Sequence, residues 1–124
     1  MTVGDRMTKN PTTVSLTDTL VSAQEKMRAG EFRQMPVVDH GRLIGIITDR
    51  DIRRHGRHNI VARVQSAMSE GVITATPETS IEEAARILLE HKIGGIPVVE
   101  NEDLVGIIST TDILQAFVDL MAAR

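Results

Sequence analysis

Displaced by 61 positions, the sequence falls on itself: Met7 to Ile52 overlies Met68 to Ile113 without a gap. The best-matched stretches are Pro36-Val37-Val38 on Pro97-Val98-Val99 and Gly45-Ile46-Ile47 on Gly106-Ile107-Ile108. A period of this length is one whole supersecondary unit, longer than a solenoid repeat, and predicts two units, 1–63 and 64–124, packed as a pseudo-twofold pair. Anything binding between them would meet two similar half-sites.

Each repeat reads strand, helix, strand, turn, strand, helix. In the first, Thr12-Thr13-Val14 is β-prone, Thr17 or Asp18 caps a helix with Leu20, Ala23 and Met27 at 3–4 spacing, and Gly30 stops it. Met35 to Val38 then turns through Asp39-His40-Gly41 into Leu43 to Ile47, and a helix opens near Thr48. In the second, Val72-Ile73-Thr74 is followed by a helix begun at Thr79 or Ser80, with Glu82 or Glu83 completing a capping box. Ile96 to Val99, a turn at Asn101-Glu102-Asp103, Leu104 to Ile108 and a last helix from about Thr110 to Ala122 complete it. A right-handed crossover makes the first two strands parallel and the short turn makes the last two antiparallel. The expected fold is therefore α/β (α+β), each repeat a small mixed three-stranded sheet with helices on one side. Continuous apolar strands imply burial on both faces, so the repeats need each other.

At 124 residues the chain buries enough surface to fold without disulfides or metal. It has no cysteine, which excludes thiolate metal sites and cysteine nucleophiles and fits a reducing compartment. With no apolar run near 18 residues and no export signal at Met1 to Arg6, a cytoplasmic, non-membrane protein is expected. Two phenylalanines as the whole aromatic content and a net charge of −3 argue against nucleic acid. The charge is split: residues 1–63 carry 11 Lys/Arg against 7 Asp/Glu, residues 64–124 carry 3 against 10. The last helix has a wide apolar stripe in Ile113, Leu114, Phe117, Val118, Leu120 and Met121. A homodimer is its expected use, the split charge favouring repeat 1 of one chain against repeat 2 of the other.

The third strand of each repeat ends in Gly-Ile-Ile-Thr/Ser-x-x-Asp, at Gly45 to Asp51 and Gly106 to Asp112. One reading is a capping box, Thr48 or Ser109 bonding the helix end and Asp51 or Asp112 sitting against its positive pole. The other is a ligand site, because strand ends beside helix N-termini bind ligands in α/β folds, and a carboxylate suits the vicinal hydroxyls of a ribose.

The doubled Pro-Val-Val and Gly-Ile-Ile-Thr/Ser-x-x-Asp together resemble a tandem pair of cystathionine β-synthase domains, a Bateman module, over nearly the whole chain. The resemblance implies an adenosine-containing ligand, of the AMP, ADP, ATP or S-adenosylmethionine class, in the cleft between repeats. It implies Thr48 and Asp51 on the ribose of one site, Ser109 and Asp112 on the other. Thr12, Thr13, Val14, Met35 and Pro36, with Ile73, Thr74, Ala75, Ile96 and Pro97, would enclose the base. Arg33 holds the position where relatives often carry a phosphate-contacting base, and Arg50 lies near it, but the counterpart of Arg33 is Gly94. Arg33 reads equally as an exposed arginine.

The run Arg50, Arg53, Arg54, His55, Arg57, His58 and Arg63 reads either as solvated linker and helix surface or as a polyanion site. His40 and His91 belong to no carboxylate cluster at metal spacing, so no metal is expected. The six methionines read as core filler. Asp51 and His55 form no catalytic constellation with a nucleophile or cofactor loop, so no enzyme and no required cofactor is expected. Two functions remain: a regulatory sensor that signals adenosyl-ligand occupancy to a protein partner or oligomer, and a nucleotide-independent dimeric scaffold whose motif residues are caps only.

Overall fold

The computed structural model describes residues 1–56 and 61–124. In chain order the elements are α1 (Val3–Arg6), β1 (Thr8–Lys9), α2 (Leu20–Gly30), β2 (Gln34–Asp39), β3 (Arg42–Thr48), α3 (Asp49–Gly56), a 3₁₀ turn at Val64–Ser66, α4 (Ile81–His91), β4 (Gly95–Glu100), β5 (Asp103–Ser109) and α5 (Thr110–Ala122). The chain packs as two compact units, residues 12–72, and residues 1–11 with 73–124. The sequence repeats are consecutive, whereas the compact units are interleaved.

In the unit of residues 12–72, β2 and β3 form an antiparallel hairpin from Gln34↔Thr48 to Asp39↔Arg42 with a bulge between Val37 and Val38. Its two turn residues, His40 and Gly41, have φ of 51° and 83°, the left-handed pair that matches the twist of the flanking strands. The first strand expected at residues 12–14 shrinks to one parallel bridge, Val14 to Val37. Val14 N donates to Pro36 O at 3.2 Å and Val38 N to Val14 O at 2.9 Å. Ser15 N is already committed to Asp18 Oδ2 at 2.9 Å, and this side-chain turn ends the extended stretch. Asp18 is thus spent before the helix, and Thr19 caps α2 instead, its Oγ1 accepting from Ser22 N at 3.0 Å. Gly30 is the last helical residue; Glu31, with φ of 58°, takes the left-handed cap position. The core gathers Val14, Leu20, Met27, Met35, Val37 and Ile47 among others.

The other unit repeats the plan. β4 and β5 pair from Gly95↔Ser109 to Glu100↔Asp103, and Ala75 makes the single parallel bridge to Val98, again in place of the strand expected at 72–74. Ser80 caps α4, its Oγ accepting from Glu83 N at 3.0 Å, and Lys92 is the left-handed C-cap. β1 adds an antiparallel strand on β5, Thr8 opposite Ile107 and Lys9 opposite Gly106. Val3, Leu88, Ile96, Val98 and Ile108 lie in its core. Mixed pairing, parallel at one bridge and antiparallel in the hairpin, is therefore present in both units.

A crossing segment that the repeat reading does not anticipate explains the glycine of each Gly-Ile-Ile. Ser69 pairs with Ile46 in both directions, Ile46 N donating to Ser69 O at 3.0 Å and Ser69 N to Ile46 O at 2.9 Å. A Cβ on Gly45 would lie 2.8 Å from Ser69 O and 2.9 Å from Met68 Sδ. On Gly106 it would lie 2.8 Å from Thr8 O and 2.7 Å from Met7 Sδ. Met7 and Met68 are themselves a repeat pair, so each unit has the same strap over the same glycine. No helix among the described residues is long and apolar enough to cross a membrane.

Candidate functional site

At the end of β3, Thr48 N donates to Asp51 Oδ2 at 3.0 Å and Asp51 N donates to Thr48 Oγ1 at 3.1 Å. At the end of β5, Ser109 N donates to Asp112 Oδ2 at 2.9 Å and Asp112 N to Ser109 Oγ at 3.2 Å. Both motifs are thus reciprocal capping boxes, with the carboxylate at the positive helix pole. The box uses one carboxylate oxygen. The other, Oδ1 of Asp51 and of Asp112, makes no hydrogen bond among the described residues, and both side chains are half-buried. Each strand end therefore carries an oriented acceptor beside the hydroxyl of Thr48 or Ser109. Capping and ligand recognition are compatible uses of one residue.

The remaining expected residues divide by burial. Val14, Met35 and Pro36 in one unit, and Ala75, Ile96 and Pro97 in the other, are buried. Their side chains build the cores and they offer a ligand chiefly main chain. Thr12, Ile73 and Thr74 are exposed, and Thr13 is half-buried with its carbonyl accepting from Lys26 Nζ at 3.0 Å. Arg50 is exposed and makes no ion pair among the described residues.

Arg33 has two roles. Its carbonyl accepts from Asp49 N at 2.9 Å, as that of Gly94 does from Thr110 N at 3.0 Å, so the backbone at this position pins the following helix in both repeats. Its side chain lines a cleft of about 240 Å³ between α2 and α3, with Arg28 and Arg53 on the rim and Met27, Phe32 and Ile52 at the floor. Asp49, Ile52 and Arg53 share that side of α3; with 3.6 residues per turn, Asp51 points nearly the opposite way. The structure therefore brings Arg33 together with Arg28 and Arg53 and sets the cleft apart from Asp51.

Of the basic run, Arg53 pairs with Asp49 at 2.9 Å and Arg63 Nη1 donates to Thr17 O at 3.0 Å, both local structural ties. Arg57 and His58 lie outside the described residues. Among the described residues no three His, Asp or Glu side chains form a group able to hold a metal. His40 meets Asp39 at 3.0 Å on the exposed hairpin turn.

The model of the CBS domain matches residues 3–58 and again 61–119. The chain belongs to the CBS domain family. As a CBS pair it is 34% identical over 115 residues to the CBS domain-containing protein YhcV of Bacillus subtilis, covering 90% of this chain and 81% of YhcV. It superimposes with a TM-score of 0.87 on CBSX2 of Arabidopsis thaliana in complex with AMP, at 26% identity, covering 97% of this chain and 98% of CBSX2. It superimposes with a TM-score of 0.85 on the CBS domain pair of protein MJ0100 in complex with 5′-methylthioadenosine and S-adenosyl-L-methionine, at 29% identity, covering 96% and 97%. Several longer relatives match over a part of their length only, the chain spanning 23% to 47% of them.

Proposed function

We propose that this CBS pair is a regulatory sensor without catalysis of its own, binding an adenosine-containing ligand of the AMP, ATP or S-adenosylmethionine class and passing occupancy to a protein partner or to its own oligomeric state. One observation carries the reading: two equivalent capping boxes that each leave a carboxylate oxygen uncommitted at a strand end. Asp51 with Thr48, and Asp112 with Ser109, would each take a ribose diol, with the exposed Thr12, Ile73 and Thr74 and the half-buried Thr13 beside the base. Arg50 is the cation proposed for phosphate in the first repeat; Arg33, expected there with it, belongs to the cleft set apart from Asp51. The AMP held by CBSX2 and the adenosyl compounds held by MJ0100 support the ligand class.

The scaffold reading draws on α5. Leu114 and Phe117 are 59% and 57% exposed, and Val118, Leu120 and Met121 are exposed with them. An apolar helix face of this width favours a homodimer, and the split charge favours repeat 1 opposite repeat 2. A thermal-shift panel of AMP, ATP and S-adenosylmethionine separates the two readings. A ligand at 100 times its Kd adds about 2.7 kcal/mol to the native state, a rise of roughly 5–10 °C for a chain of this size. No shift with any adenosine compound at millimolar concentration leaves only the scaffold.

A further inference from the structure

The cleft between α2 and α3 is chemically unlike its counterpart. The 61-residue displacement turns Arg28, Arg33 and Arg53 into Leu89, Gly94 and Leu114, and Met27, Phe32 and Ile52 into Leu88, Ile93 and Ile113. The floor is apolar in both repeats; the cationic rim exists in one. Since the second repeat builds the corresponding helices with two leucines and a glycine there, the fold does not require the arginines. The Arg53 guanidinium is answered by Asp49, but the guanidinium groups of Arg28 and Arg33 make no hydrogen bond or ion pair among the described residues. Three guanidinium groups against one carboxylate leave about two positive charges over an apolar floor.

We propose that this cleft is a second small-molecule site, taking a small organic phosphate monoester. A phosphate dianion presents three terminal oxygens and matches the two unanswered charges, and the planar guanidinium fork engages such oxygens two at a time. The apolar floor of Met27, Phe32 and Ile52 seats the organic part. A volume of about 240 Å³ lies just below the roughly 300–1,000 Å³ of drug-sized pockets, so the fitting ligand is a phosphate on one ring or a short chain, smaller than a nucleotide. The site faces away from Asp51, so it is filled independently of an adenosyl ligand there.

The test is calorimetric titration of phenyl phosphate into the full chain, with and without saturating AMP. The double variant Arg28→Leu/Arg53→Leu installs the residues the second repeat carries, and Arg28→Gln/Arg53→Gln repeats the measurement with polar side chains should the leucines promote aggregation. Either variant is expected to weaken phenyl phosphate about tenfold or more, the scale of lost charge-assisted hydrogen bonds, and to leave AMP affinity within about twofold. Inorganic phosphate, lacking a body for the floor, is expected to bind at least about threefold more weakly than phenyl phosphate. Wild type that ignores phenyl phosphate at about 10 mM, variants that bind it like wild type, or AMP that displaces it would each overturn the second site. Were AMP not to bind at all, the variant comparison would still decide the cleft, while the adenosyl reading alone would fall.

Discussion

The two repeats agree and disagree at positions that do different jobs. Gly45 and Gly106, Thr48 and Ser109, and Asp51 and Asp112 keep their chemistry because each serves the backbone: a crossing strap needs the missing Cβ, and a helix start needs the reciprocal cap. Arg28 against Leu89, Arg33 against Gly94 and Arg53 against Leu114 diverge because only side chains change there; the carbonyls of Arg33 and Gly94 go on making the same hydrogen bond. The doubled fold thus carries two unlike outer faces, one cationic and one apolar, with Leu89 78% exposed. Internal symmetry accounts for the fold and its breaking for the surfaces.

The agreement breaks first if the straps are not equivalent. Gly45→Ala and Gly106→Ala each push a Cβ to about 2.8 Å from a backbone oxygen that cannot rotate away. Each should cost about 2–3 kcal/mol, at the upper end for overpacking, and lower the melting temperature by about 10 °C. A large loss in one and none in the other by thermal unfolding would show that the straps differ in kind.

The disagreement is sharpened by moving the arginines. Leu89→Arg with Leu114→Arg gives the second repeat two of the three arginines of the first; both sites are exposed and arginine is as good a helix former as leucine, so folding stability should move by no more than about 0.5 kcal/mol. Self-association should weaken in light scattering, and Phe117→Asp should weaken it further. Undiminished association would remove α5 and α4 from the proposed dimer contact.

The smallest effect concerns the strap that only one unit ties by charge. Arg6 Nη1 donates to Asp119 Oδ2 at 2.5 Å, and Ala67 stands at the repeat position of Arg6. The Arg6 guanidinium, and then the Gln115 amide, hold the Asp119 carboxyl below its ordinary range. A folded carboxyl with a lowered pKa contributes stability that is present at neutral pH and is lost as pH falls below the ordinary carboxylate value through the folded one. Asp119→Asn should therefore flatten the acid side of the stability profile slightly and leave its neutral-to-basic side unchanged in slope. An equally steep acid limb in the variant would remove the pair from the account.

The hairpins, helices α2 to α5 and the capping boxes at Thr48 and Ser109 were legible because they rest on local patterns: apolar runs, two-residue turns and [ST]-x-x-[DE]; at Ser80 only half of the expected box forms, the Glu83 carboxylate pairing with Arg86 instead. The strap was not, although Met7 and Met68 begin the matched stretch, because a two-residue strand has no periodicity and its partner is far away in sequence. The caps at Thr19 and Glu31 moved by one or two residues, since Asp18 was taken by the preceding turn and a left-handed residue after Gly30 need not be glycine. The ligand-site reading placed Arg33 by its distance from Pro36 along the chain; the fold sets it in the lining of the cleft between α2 and α3, which spacing does not encode. The sixteen proposed contacts likewise mix exposed threonines with core residues such as Met35 and Ile96, a distinction that needs three dimensions.

The central claim is that Asp51 and Asp112 cap with one oxygen and bind with the other, and titrating AMP into Asp51→Asn and Asp112→Asn tests it. Asparagine keeps an oxygen for the backbone N–H of Thr48 or Ser109 but removes the charge, so stability should fall by no more than about 1 kcal/mol while AMP affinity falls about 10- to 150-fold. We expect the greater loss in Asp51→Asn, whose repeat carries Arg50 where the second repeat has Thr111. Wild-type AMP affinity retained in both variants would reduce the two carboxylates to caps and contradict the sensor.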